Sequence, residues 1–111
     1  MRFTEVAPTL AGEIEASLIQ MARPDLGKQI GELEIVSRCG CGDSFCNSFY
    51  VGPPPKGAWG PDYDCVPVSM ERGMVVLDVV EGQIQHVEVL DREELTKPLS
   101  GVPRAPRPQD R

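Results

Sequence analysis

From Pro8 to Ile30 apolar residues return at Leu10, Ile14, Leu18 and Met21, with Ile19 and Ala22 widening the stripe. This is the 3.6-residue period of an amphipathic helix over about residues 9–22. Thr9 is the expected N-cap. Glu13 and Glu15 lie toward the positive end of the helix dipole, and Arg23 lies at its negative end, just before Pro24 stops the helix. Asp25 to Gln29 predicts a further short turn, because Leu26 and Ile30 are spaced i, i+4. After Gly31 the period drops to two. Leu33, Ile35 and Ser37 alternate with Glu34, Val36 and Arg38, which predicts a strand. Asn47 to Val51 reads as a returning strand, and the segment 52–67, rich in proline and glycine, reads as a long irregular loop.

A second hairpin is expected from Gly73 to Leu90, turning at Glu81-Gly82. With a two-residue turn alone, Leu77 would oppose His86 and Val75 would oppose Glu88, mixing polar and apolar residues on both faces. A three-residue loop closed by a left-handed Gly82 gathers Val75, Leu77, Val79, Val87 and Val89 on one face instead. The other face then carries Val76, Asp78, Val80, Ile84, His86 and Glu88. The predicted architecture is α+β: an N-terminal helix packed on an antiparallel sheet of about four strands, built from two hairpins, with the helix stripe against the valine face.

A chain of 111 residues has room for one domain. We expect it over residues 1–95. Residues 96–111 carry four bases (Lys97, Arg104, Arg107, Arg111), one acid (Asp110) and four prolines, with almost nothing apolar after Val102, so a disordered tail is expected there. The remaining body holds 7 bases against 16 acids, a net charge of −9. That balance argues against a nucleic-acid partner, which needs clustered Lys and Arg. No window is apolar over the roughly 18 residues of a membrane span, and Met1 to Glu5 lacks the apolar run of a signal peptide, so no membrane association and a cytoplasmic location are expected.

The candidate chemistry is concentrated in the cysteines at 39, 41, 46 and 65. In a chain read as cytosolic, four cysteines point to metal or redox use before a disulfide framework. Zinc takes four deprotonated ligands in a tetrahedron, and a tight turn with Gly40 and Gly42 can aim backbone N–H groups at the sulfurs. Cys39, Cys41, Cys46 and Cys65 are therefore the candidate zinc ligands. Two other readings stay open: buried thiols that only pack, and a redox dithiol of Cys39 and Cys41. Asp43 would raise a neighbouring thiol pKa and Arg38 would lower it.

His86 is the single histidine, and in the favoured register it shares a face with Asp78, which can fix its tautomer. Asp62, Asp64, Glu93 and Glu94 read as solvated acids. Neither a phosphate-binding glycine loop nor an H-E-x-x-H or G-x-S-x-G motif occurs, so no catalytic constellation is assigned. Trp59 and Tyr63, in the stiff loop, are candidates either for a protein-binding surface or for packing over the sheet. The leading functional expectation is thus a non-catalytic protein-binding module, immunity- or antitoxin-like, that meets a basic protein partner through Trp59, Tyr63 and its acidic surface. A structural zinc protein and a thiol redox protein are the alternatives.

The run Pro24-Asp25-Leu26, then Leu33 to Asp43 with Cys46 and Phe49-Tyr50, then Met74 to Asp78 and His86 to Asp91, resembles small uncharacterised bacterial proteins with an R-C-x-C-G motif and a late hairpin ending in E-V-L-D. The likeness spans about residues 8–95. It implies a compact α+β domain of unknown function and carries no catalytic residues with it.

Overall fold

The computed structural model describes residues 1–106, and the end of the expected tail, 107–111, lies outside the described residues. Its helices are α1 (Phe3–Val6), α2 (Pro8–Gln20), α3 (Pro24–Gly27) and α4 (Thr96–Leu99), with single 3-10 turns at Ile30–Glu32 and Glu93–Leu95. The strands are β1 (Ser37–Arg38), β2 (Phe49–Tyr50), β3 (Tyr63–Val68), β4 (Met74–Val80) and β5 (Gln83–Leu90). They form one antiparallel sheet in the order β1-β2-β5-β4-β3, with the N-terminal helices on one face. The α+β class holds, with five strands where about four were expected.

The long helix begins one residue earlier than its period suggested. Ala7 is the N-cap with no side-chain bond, and Pro8 occupies the first turn, where its fixed φ suits a helix start; Thr9 is not the cap. Leu10, Ile14 and Leu18 are fully buried against Val75, Leu77, Val79, Val87 and Val89, as the two stripes predict. Met21 follows the last helical turn and stays outside, as does Ile19. Phe3 of α1 packs on Phe49 of β2, with ring centroids 5.0 Å apart, and so joins the N-terminus to the middle of the sheet.

The β4–β5 hairpin reaches the expected register by a different device. Glu81 and Gly82 both carry positive φ, 51° and 79°, as a two-residue type I′ turn requires. Val80 pairs with Gln83 and Val79 with Ile84, but Asp78 pairs with His86, so Gln85 is an extra residue in β5. Beyond this bulge Leu77 opposes Val87 and Val75 opposes Val89. Ile84, short of the bulge, turns to the helix side and is buried, a correction to its expected place on the other face. Gln29 fastens the turn from outside: its amide Nε2 donates to Gly82 O (2.7 Å) and its Oε1 accepts from Ile84 N–H (2.9 Å).

Two segments read as irregular are ordered. Tyr63 to Val68 pairs along β4, with Val66 and Val68 buried and Tyr63, Cys65 and Pro67 exposed. Pro67 is tolerated because β3 is a sheet edge, where a missing N–H breaks no inner ladder. The expected disordered tail is also corrected for its described part. Leu99, Val102 and Ala105 are buried, Arg38 N–H donates to Pro103 O and Ala105 N–H donates to Arg38 O, each at 2.8 Å. The tail thereby covers the open edge of β1, so the domain runs at least to residue 106.

Arg92 is the largest fully buried side chain. All five of its N–H donors are used: on Glu94 at 3.2 and 2.7 Å, on Glu13 at 3.0 and 2.9 Å, and on Arg72 O at 3.2 Å. These bonds tie α2 to the segment after β5 and hold the Glu13 and Glu94 carboxyls below the usual carboxylate range. Gly73 sits against the same side chain. A Cβ there would lie 2.7 Å from Arg92 Cγ and Cδ and 2.8 Å from Leu90 O, at a φ of +76°.

Arg92→Met is expected to cost about 2–3 kcal/mol in urea denaturation, less than the 3–5 typical of fully buried pairs because both glutamates keep some solvent. Depressed carboxyl pKa values contribute stability that is complete above the ordinary range, near about 4.3 for Glu, and that is lost as pH falls through the depressed values. Wild-type stability should therefore fall steeply below about pH 4 and Arg92→Met should show a shallower acid limb. Gly73→Ala should destabilise by about 3 kcal/mol or more in urea denaturation, since the strain of a left-handed residue, about 1–3 kcal/mol, is joined by the displacement of Arg92 and Leu90 O by the new Cβ.

Candidate metal centre

The chain from Cys39 to Cys46 is a tight turn pinned at both ends. Cys39 N–H donates to Ser48 O (2.9 Å), Cys46 N–H to Asp43 O (3.2 Å) and Asp91 N–H to Phe45 O (3.0 Å). Buried Asn47 donates from its backbone to Val89 O (2.8 Å) and from its side chain to Arg92 O and Thr96 Oγ1, both at 3.0 Å. Gly42 takes a φ of +82°, which lets the chain reverse between Cys41 and Cys46.

This turn brings the sulfurs of Cys39, Cys41 and Cys46 within 4.8 Å of one another. Three thiolates on one zinc ion at about 2.3 Å sit about 3.8 Å apart in a tetrahedron, so the trio needs only a small inward movement to close on a metal. All four cysteines are free thiols. Burial is the largest influence on Cys39 and pushes its thiol up to about 12, reinforced by Cys41 and Cys46. Burial also acts to raise Cys41, but the Asp43 backbone N–H and the thiols of Cys39 and Cys46 outweigh it and lower its pKa. The turn thus makes Cys41 more readily ionised than Cys39.

Cys65 does not join them. It lies exposed in β3, opposite Asp78 of β4. Three strand spacings separate β2 from β3, roughly 14 Å at 4.7–4.9 Å each, so the expected four-cysteine set is not assembled. Tyr50, His86, Asp78 and Cys65 instead form one row across four strands, on the face away from the helices. Within that row His86 Nδ1 is 2.8 Å from Asp78 Oδ2, and the Tyr63 hydroxyl donates to Asp78 Oδ1 at 2.6 Å. Burial alone would raise Asp78, but the hydrogen bonds from His86 and Tyr63 prevail and lower it.

The loop expected to be irregular lays Trp59 over this row. Its ring lies 6.2 Å from both Tyr50 and Tyr63, nearly parallel to the latter, so Trp59 is half-buried packing, while Tyr63 stays 38% exposed. Tyr50 packs directly on His86, with ring centroids 4.4 Å apart.

The three close cysteines and His86 share an open cleft of about 560 Å³, within the roughly 300–1,000 Å³ of small-molecule sites. Phe45, Tyr50 and Leu90 supply apolar wall and Asp43 and Glu88 supply carboxylates. Tyr50 and Glu88 were not singled out from the sequence. The period-two pattern places them on a strand face, but only the β2–β5 pairing puts them beside the turn.

No protein-family model, curated protein or solved structure matches the chain. No helix among the described residues is long and apolar enough to cross a membrane.

In metal-free protein near pH 7.5, iodoacetamide should label Cys41 well before Cys39, because the thiolate is the nucleophile and Cys39 holds its proton more tightly. Peptide mapping by mass spectrometry at short reaction times reads the order.

Proposed function

We propose that this protein binds a soft divalent metal, zinc in the first instance, through the thiolates of Cys39, Cys41 and Cys46. The observation that carries the reading is the approach of these three sulfurs to within 4.8 Å of one another on one pinned turn. Borderline-soft zinc favours sulfur donors, and metal binding would draw the proton from Cys39. Three protein ligands leave the fourth tetrahedral position to a molecule from the cleft, the arrangement of catalytic and ligand-binding sites more than of closed structural ones. Cys65 has no part in this centre. Against the expected protein-binding module, the close sulfurs give the metal reading a specific geometric basis that surface charge does not give to a basic partner.

Protein prepared without chelator should take up one equivalent of zinc or cobalt(II), and cobalt should produce sulfur-to-metal charge-transfer absorption. Cys41→Ser should weaken binding by more than about 100-fold, beyond the 10–100-fold of losing an outer-shell partner, and Cys65→Ser should leave it unchanged. At free zinc about 100 times its dissociation constant, the metal should add about 2.7 kcal/mol to stability, removable with chelator. Absence of uptake, or equal loss in Cys65→Ser, would refute the reading.

A further inference from the structure

Three free thiols whose sulfurs lie within 4.8 Å of one another are also placed to react with each other. A disulfide sets its sulfurs about 2.05 Å apart, an approach that a change of side-chain rotamer supplies while the backbone stays in place. The chain path separates the possible pairs. Only Gly40 stands between Cys39 and Cys41, and the Cys39 N–H is held on Ser48 O at 2.9 Å. A ring through residues so close along the chain is strained. Cys41 and Cys46 stand on the two sides of the reversal at Gly42, whose φ is +82°. Because Cys39 faces Ser48, Cys41 faces Cys46 two residues nearer the reversal, and Cys39 meets Cys46 only on the diagonal. Cys46 is itself fixed by a bridge to Leu90.

All three cysteines are half-buried and line the open cleft, so a small oxidant reaches them. Asp43 and Glu88 line the cleft too. Their carboxylates repel an anionic oxidant and leave a neutral hydroperoxide unopposed. Cys65, exposed on the far edge strand, has no second sulfur beside it and serves as an internal control.

We propose that the metal-free turn reduces a hydroperoxide and closes a Cys41–Cys46 disulfide, a form that no longer offers three thiolates to a metal. In the first step one sulfur of the pair, as thiolate, attacks the terminal oxygen of the hydroperoxide. An S–O bond forms, the O–O bond breaks, and the leaving oxygen takes up the proton the thiol lost, giving water or an alcohol and a sulfenic acid. In the second step the other sulfur attacks the sulfenic sulfur. The S–S bond forms, the S–O bond breaks, and water leaves with the second thiol's proton. The pair has then lost two electrons and the peroxide has gained them. A small thiol restores the pair by exchange and is itself oxidised to its disulfide. The disulfide stands by itself; only the loss of metal rests on the metal reading above.

The test treats the metal-free full chain with hydrogen peroxide, caps the remaining thiols with iodoacetamide and maps the peptides by mass spectrometry. Trypsin, cutting after Arg38 and Lys56, leaves Cys39, Cys41 and Cys46 in one peptide and Cys65 in another. A second protease that cuts before Asp43 divides the first peptide between Cys41 and Cys46. The two fragments should stay joined, with the label on Cys39 and Cys65, and dithiothreitol should release them. Cys46→Ser should abolish the joined product and Cys65→Ser should leave it unchanged. The pair should be consumed at least about tenfold faster than Cys65, as oxidation at a thiol with a resolving partner predicts. Fragments that separate, a bond from Cys39 to either other cysteine, or equal consumption of Cys65 overturns the proposal and leaves the metal reading standing. Cobalt(II) affinity should fall by more than about 100-fold in the oxidised protein, beyond the loss of an outer-shell partner, and return on reduction. Undiminished cobalt affinity in the joined form overturns the proposal as well. Reduced protein that takes up no cobalt removes the metal reading, while joined fragments still uphold the disulfide.

Discussion

The register of the β4–β5 hairpin is the constraint on which both faces of the molecule depend. Side chains alternate along a strand with a period of two, so a shift of one residue exchanges the core and solvent faces. The Glu81-Gly82 turn alone would place Leu77 opposite His86. The extra residue Gln85 corrects that mismatch, turning Val87 and Val89 toward α2 and Asp78 and His86 away from it. Core burial and the His86–Asp78 pair thus follow from a single bulge, and Gln29 reaches over from the helical layer to hold the turn that precedes it.

Around that hairpin the thiol turn is held by connections to its far end. Asn47 bonds to Val89, Arg92 and Thr96, and Arg92 in turn uses every donor it has on Glu13, Glu94 and Arg72. The turn therefore hangs on a buried, fully satisfied polar network rather than on a core of its own. Its buried members, Arg92 and Asn47, depend most on their partners, because either would otherwise hold unpaired polar groups shut off from water. The same economy appears at the sheet edge, where residues 103–105 complete the hydrogen bonds of β1. A chain of this length closes its exposed edge with the segment that composition alone marks as disordered.

The cleft joins two kinds of chemistry on the solvent face of the sheet. At one end, a glycine-containing turn crowds three sulfurs and favours the thiolate at Cys41. At the other, a carboxylate fixes one nitrogen of an imidazole and leaves the second inward and unpaired. Trp59, Tyr50 and Tyr63 pack over the imidazole row and limit its contact with water, which strengthens each polar interaction beneath them.

By itself the sequence determined what repeats locally. The 3.6-residue stripe of Leu10, Ile14 and Leu18, the alternating valines of the late hairpin and the approach of Cys39, Cys41 and Cys46 all rest on neighbours within a few residues, where period and turn chemistry act directly. The shared face of Asp78 and His86 was legible for the same reason. Tertiary structure decided what depends on distant partners. Cys65 was separated from the other cysteines because β3 paired at the far edge of the sheet, a strand hidden by the prolines in and before it until an edge position made Pro67 harmless. The described part of the tail, residues 96–106, was ordered because β1 offered it unpaired backbone groups, and Tyr50 and Glu88 reached the cleft only through the pairing of β2 with β5. Hydrogen bonds between strands carry no signature in either strand alone, so the outline of the core was written along the chain and the composition of the cleft was not.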